Sequence, residues 1–260
     1  NWISSNGPFS KKLENFIKRK FKIKHVSLVS SGTSAIECAL KAVDVKKGDE
    51  VIVPSFTIVS CLNTILKFGA KPIIVDVKKD SWLPSLEEIE SRISKKTKAI
   101  IVVHIFGNVL NVLELKKRIS KKIKIIEDCA EAPFAKFKKR YVGTLGDLGT
   151  FSFYANKTIT SGEGGMVITQ NKDFYKTIEK YKNLYFGNKN LKRFEHDDIG
   201  FNFRMTDLQA AIAYSQAIKA KENLLKMKKN VTLYKKYLDK ESIIFQKIDK
   251  NVKNIWWMIA

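Results

Sequence analysis

Short apolar runs rich in Val and Ile punctuate the chain from about residue 25 to about residue 170. They are His25 to Val29, Glu50 to Val53, Pro72 to Val75, Ala99 to Val103, Ile123 to Glu127, Thr150 to Phe153 and Gly165 to Ile168. Several are unbroken β-branched stretches, which is the pattern of strands covered on both faces. Between them, apolar positions recur at helical spacing over Ser34 to Val43, Ile58 to Phe68, Ser85 to Ile93 and Val112 to Ser120. Strands alternating with helices predict an α/β domain whose mostly parallel sheet is flanked by helices. After Gly165 the pattern turns helical from Lys172 to about Leu184, and a loop with charged residues follows to Arg204. A long helix is expected from about Thr206 to Leu238, with Thr206-Asp207 capping its start.

Two residues fall where such a sheet places its ligands, beyond the carboxyl ends of strands. Asp128 ends the run from Ile123, and Lys157 follows Thr150-Phe151-Ser152-Phe153 ahead of a turn, Gly162-Glu163-Gly164-Gly165. An amine and an acid at two strand ends are what a pyridoxal phosphate site needs. The lysine condenses with the aldehyde, and the acid keeps the pyridine nitrogen protonated. A carboxylate beside a pyridinium has its ionised form favoured, so the pair is self-consistent. Ser30-Ser31-Gly32-Thr33-Ser34 joins a strand to a helix and is either an ordinary cap or an anion cradle. Beside Asp128 and Lys157 the cradle is the better reading. Phe56 follows another strand end, as a core aromatic or as a ring that stacks on a flat heterocycle. Glu131 lies one helical turn beyond Asp128, either near the cofactor's ring hydroxyl or in solvent.

The formal charge of +22 raises nucleic acid as a partner, but nearly all the cations are Lys in short scattered runs. Readers of phosphate and bases favour Arg, and no nucleic-acid-binding motif occurs, so a solvated surface and no nucleic-acid partner are expected. No apolar run approaches the roughly 20 residues that cross a bilayer, so no membrane partner is expected. Cys38, Cys61 and Cys129 have neither disulfide nor zinc spacing, and His25, His104 and His196 are scattered. Reduced thiols in a cytoplasmic protein, and no metal, are expected. The chain opens without Met and stops on the apolar run Trp256 to Ala260, so both ends read as cuts through a longer protein.

Seven short motifs occur in order. They are Gly32-Thr33, Pro54-Ser55-Phe56, His104-Ile105-Phe106-Gly107, Glu127 to Ala132, Ser152-Phe153 with Lys157, Gly162 to Gly165, and Gly200-Phe201-Asn202-Phe203-Arg204-Met205-Thr206. In these the chain resembles, over essentially its whole length, the DegT/DnrJ/EryC1/StrS sugar aminotransferases of the fold-type I pyridoxal phosphate enzymes. The resemblance implies an aspartate aminotransferase-like fold. Residues 1–239 would form the cofactor-binding large domain, truncated ahead of Trp2-Ile3-Ser4-Ser5. Residues 240–260 would open a smaller C-terminal domain that is largely missing.

The same resemblance assigns roles. Lys157 would bind the cofactor aldehyde and then move protons, and Asp128 would pair with the pyridine nitrogen. Glu131 would sit near the ring hydroxyl, and Phe56 would cover one ring face. Gly32, Thr33 and Ser152 would hold the phosphate. Asn202 would reach the phosphate of a neighbouring subunit, which implies a homodimer with shared active sites. His104 stays a candidate, with a structural role at a strand end equally open. L-Glutamate would give up its amine, leaving 2-oxoglutarate, and a nucleotide-linked keto sugar would receive it at C4 of a 4-keto-6-deoxyhexose for surface polysaccharide.

The stretch Ser152 to Lys157 with Glu131 looks most like perosamine-type members, which favours a GDP-linked 4-keto-6-deoxymannose over dTDP- or UDP-linked sugars. Related dehydratases carry histidine in place of Lys157. A noncatalytic basic binding protein on the same fold is the alternative from another class. Two loops depart from the family pattern. Pro133-Phe134 stands where His-Gly is usual, and Asn108 to Asn111 stands where Pro and an acidic pair are usual, so both loops are expected to differ in shape.

Overall fold

A computed structural model describes residues 3–5, 7–186, 195–238 and 243–259. Trp2 and the expected boundary at 239/240 lie outside the described residues, as does part of the loop before Arg204. The elements run α1 (Pro8–Phe21), β1 (His25–Val29), α2 (Gly32–Ala42), β2 (Glu50–Pro54), α3 (Val59–Lys67), β3 (Lys71–Val75), α4 (Leu86–Ser91) and β4 (Thr97–Val103). Next come α5 (Val112–Arg118), β5 (Lys124–Asp128), β6 (Lys136–Phe137), β7 (Arg140–Tyr141), β8 (Leu148–Ser152) and β9 (Gly165–Thr169). The order closes with α6 (Lys172–Tyr181), α7 (Asp207–Tyr237) and β10 (Val252–Lys253).

Seven strands form one sheet in the order β1-β9-β8-β5-β4-β2-β3. They are the seven that the apolar runs predict. β9 is antiparallel to both its neighbours, and the remaining pairings are parallel. The carboxyl ends of β4, β5 and β8 therefore share one edge, with Val103, Asp128 and Ser152 as terminal residues. The β-branched runs in β4 and β5 are buried along almost their whole length, as strands covered by helices on both faces must be.

Helix α1 is an element that the strand-centred reading passes over. Pro8 stands at its start, and Leu13, Ile17 and Phe21, spaced by four, are its buried stripe. Its N-terminus is capped from a distance. Asp207, at the first turn of α7, accepts from the Ser10 N–H at 2.7 Å, from the Ser10 hydroxyl at 2.9 Å and from the Phe9 N–H at 3.3 Å. A Cβ on Gly7 would meet the Asp207 carboxyl carbon at 2.2 Å, so only glycine admits this approach. Thr206 alone caps α7, in a reciprocal pair with Gln209. Asp207→Ala should therefore unfasten α1 from α7 and lower stability by roughly 1.5–3 kcal/mol, the loss for hydrogen bonds to a charged acceptor, read as a fall in denaturant midpoint. An unchanged midpoint would remove this capping role.

Both departing loops serve packing. Phe134 adopts a left-handed φ of 71° and is buried, its ring 5.5 Å from Phe21 and 6.3 Å from Tyr141. Asn108 donates to the carbonyls of Ser81 (3.1 Å) and Lys247 (3.0 Å), tying residues 243–259 to the large body of the chain. The β10 strand pairs with β6, which pairs with β7, to make a second, small sheet. Among the described residues no helix is long and apolar enough to cross a membrane.

Candidate active site

A cavity of about 370 Å³ opens at the shared strand edge. Asp128, Ser152, Lys157, Glu131, Gly32 and Thr33 all line it. Six of the predicted site residues, drawn from three separate motifs, thus face one space. Phe56 does not line it; the residue is 43% exposed, and its ring packs edge-on against Trp82 and Phe106. Asn202 is exposed, in a bridge with Asn183, and also stands outside the lining.

Asp128 is buried at the end of β5. Its Oδ1 accepts from the Ala130 N–H at 3.0 Å and its Oδ2 from the Cys61 thiol at 3.5 Å. Burial pushes the carboxyl above its ordinary range, against the two donors and the more distant charges of Lys157 and His104. Glu131 is likewise pushed up by burial, against the Phe106 N–H, which it accepts at 3.0 Å, and against Lys157. The Lys157 amine lies 4.0 Å from Glu131 Oε1, and its side chain is 13% exposed. Burial lowers its affinity for a proton, opposed by the charges of Glu131 and Asp128. A buried amine that is easily deprotonated is a better nucleophile and base than a surface lysine.

The start of α2 also lines the cavity. Ser31 caps the helix in a reciprocal pair with Ser34, which leaves the backbone N–H groups of Gly32 and Thr33 without a partner among the described residues. Such free N–H groups at a helix start attract anions. The Thr33 hydroxyl donates to Ser60 at 3.1 Å, and a Cβ on Gly32 would crowd Ser152 Cβ at 2.8 Å. The amine, the buried acid and the free N–H pair fit the aldehyde, pyridine nitrogen and phosphate of pyridoxal phosphate.

His104 does not line the cavity, and its ring Nδ1 is buried without a hydrogen-bond partner among the described residues. It is fully buried at the end of β4, and its Nε2 lies 2.9 Å from Glu127 Oε2. The other Glu127 oxygen accepts the N–H groups of Leu145 at 2.7 Å and Gly146 at 2.6 Å, which pins the turn ahead of β8. His104, Glu127 and Cys129 lie close enough for a metal, with ligand atoms within 4.8 Å of one another. Both Glu127 oxygens are already engaged, however, and burial pushes the Cys129 thiol well up. The trio reads as a buried hydrogen-bonded cluster. Spacing along the chain gave no hint of it, because it forms only when β4 pairs with β5.

Further lining residues had no assigned role. Glu163 belongs to a recognised turn, and Asn156 adjoins Lys157. Ser60 and Trp257 carried no local signal; Trp257 arrives from about a hundred residues further on.

The chain matches the model of the DegT/DnrJ/EryC1/StrS aminotransferase family over residues 1–260. It is 40% identical over 265 residues to GDP-perosamine synthase of Escherichia coli O157:H7, covering 100% of this chain and 71% of that protein. It is 39% identical over 231 residues to GDP-perosamine synthase of Vibrio cholerae, covering 88% of this chain and 62% of that one. The crystal structure of a DegT DnrJ EryC1 StrS aminotransferase from Brucella abortus superposes with a TM-score of 0.89 at 25% identity, over 98% of this chain and 69% of that one.

Proposed function

Because this chain belongs to the DegT/DnrJ/EryC1/StrS aminotransferase family, with the α/β fold of the fold-type I pyridoxal phosphate enzymes, we propose that it moves an amine from L-glutamate to a GDP-linked 4-keto-6-deoxy sugar. The observation that carries this is the convergence of Lys157, Asp128 and the start of α2 on one cavity. The likeness to two GDP-perosamine synthases favours the GDP-linked sugar.

When bound, pyridoxal phosphate supplies an aldehyde that condenses with amines and a protonated ring that withdraws electrons from the neighbouring carbon. The residues supply the rest. Lys157 Nζ would hold the aldehyde and, as a free amine, would serve as the base that moves a proton between carbons. Burial favours its neutral form, which such a base requires. Asp128, whose carboxylate is oriented by the Ala130 N–H and the Cys61 thiol, would keep the pyridine nitrogen protonated. The Gly32 and Thr33 N–H groups, with the Ser152 hydroxyl, would hold the phosphate. Glu131 keeps a carboxylate 4.0 Å from Lys157 Nζ, where it attracts the protonated amine.

Gly32→Ala should push Ser152 aside and weaken cofactor affinity on the order of tenfold in an equilibrium titration, the effect of ~1–3 kcal/mol of overpacking. Unchanged affinity would take Gly32 and Ser152 out of the phosphate cradle.

A second copy of the chain completes the site in this reading. Ile58 and Tyr154 line the cavity yet are 56% and 49% exposed, an apolar rim for a partner subunit whose Asn202 would reach the phosphate. The substrate is tested by offering the glutamate-reduced protein GDP-, dTDP- and UDP-linked 4-keto-6-deoxy sugars and detecting the amino sugar by mass spectrometry. Turnover of the GDP-linked sugar above the others supports the reading. Preference for a dTDP- or UDP-linked sugar would replace it.

A further inference from the structure

The indole of Trp257 covers the Lys157 amine, with Nζ 3.9 Å from the ring centroid. Resting on the cofactor reading above, we propose that Trp257 is a positioning residue for Lys157, holding the free amine between its π face and Glu131. The tail is fastened at several points to reach this place. Gln246 Nε2 donates to the Ser81 carbonyl at 2.9 Å, and the Lys247 N–H donates to the Asp80 carbonyl at 2.7 Å. The Trp257 indole N–H then donates to the Asn156 carbonyl at 2.9 Å, adjacent to Lys157 in sequence. That bond fixes the orientation of the indole beside the amine.

Phe106 links the two groups that flank the amine. Its backbone is left-handed (φ 51°, ψ 27°), which a residue with a side chain adopts at a cost. In that conformation its N–H points at Glu131 Oε2, while its ring lies 6.0 Å from that of Trp257. The next residue, Gly107 (φ 88°), lets the tail come close, since a Cβ there would meet Asn254 Oδ1 at 2.4 Å. One turn thus sets both the carboxylate at 4.0 Å and the indole at 3.9 Å from the amine.

A π face attracts the ammonium form, while burial disfavours it. The charged groups facing Lys157 are Glu131 after β5 and Asp128 at its end, and Glu163 lines the same cavity. Trp257 therefore opposes burial alongside Glu131 in setting the proton affinity of the amine.

The test reads Lys157 in the cofactor-free protein by the pH dependence of its acetylation with acetic anhydride, followed by mass spectrometry. Trp257→Leu keeps apolar bulk but has no π face. It should lower the Lys157 pKa by roughly half a unit to one and a half units, and Trp257→Phe by less. Should the Leu variant not fold, Gly107→Ala displaces the same tail segment and should move the pKa in the same direction. An unchanged or raised pKa in the folded variants would overturn the proposal and leave Trp257 as a wall of the cavity. Cofactor binding is scored separately on the wild-type protein. A wild type that forms no lysine-bound cofactor would sink the cofactor reading, while the acetylation still decides the contact between Trp257 and Lys157.

Discussion

Lys157→Ala should abolish amine transfer while leaving the fold intact. The residue has two duties in the proposed reaction, tethering the aldehyde and carrying the proton. Removing a positioned base alone costs about 10²- to 10⁴-fold, and losing the tether adds to it, so a fall of roughly 10⁴-fold or more in kcat is expected. Stability should move the other way. Burial holds the Lys157 proton affinity below its ordinary value. Between the folded and unfolded pKa values the unfolded chain binds more protons, so stability rises with pH there, and at neutral pH the amine is a net cost. The cofactor-free alanine variant should therefore melt no lower than wild type. A variant that melts well below wild type would mean that Lys157 holds the structure together. A folded variant that still transfers amine at a wild-type rate would contradict the assigned role.

Asp128→Asn is expected to separate cofactor retention from catalysis. Lys157 and the α2 cradle remain, so the variant should still take up pyridoxal phosphate. The pyridine nitrogen, however, loses the carboxylate that keeps it protonated. Removing one partner of a buried charge pair costs ~3–5 kcal/mol. At about 1.36 kcal/mol per tenfold, kcat should fall roughly 10²- to 10⁴-fold. The cofactor-free protein gives an independent sign. Burial raises the Asp128 carboxyl above its unfolded value. Its contribution to stability is therefore full below the unfolded pKa and is lost as pH rises through the folded one. Asn has no such titration, so the loss of stability from acid to neutral pH should be shallower in the variant than in wild type. Parallel pH–stability curves would show that Asp128 is not the buried acid described.

Those two residues stand out in the sequence because Asp128 ends one apolar run and Lys157 follows another, and a parallel sheet gathers its strand ends along one edge. All seven strands of the main sheet follow from short apolar runs, several of them β-branched. What escaped has physical causes. Helix α1 carries a readable stripe, Leu13-Ile17-Phe21, but its polar faces outweigh it and its cap comes from Asp207, far along the chain. Strands β6, β7 and β10 are two residues long, too short to show any period. Phe134 takes over a family turn by filling a pocket against Phe21, and Trp257 reaches Lys157 only because Asn108 and Gly107 bring the tail across.

The most direct test of the central claim is an absorbance spectrum of the purified protein with pyridoxal phosphate, before and after L-glutamate, beside Lys157→Ala. A visible band of lysine-bound cofactor is predicted in the wild type, bleaching with glutamate to the pyridoxamine form and missing from the variant. A folded wild-type protein with no such band, or a band unchanged by the Lys157 substitution, would contradict the account.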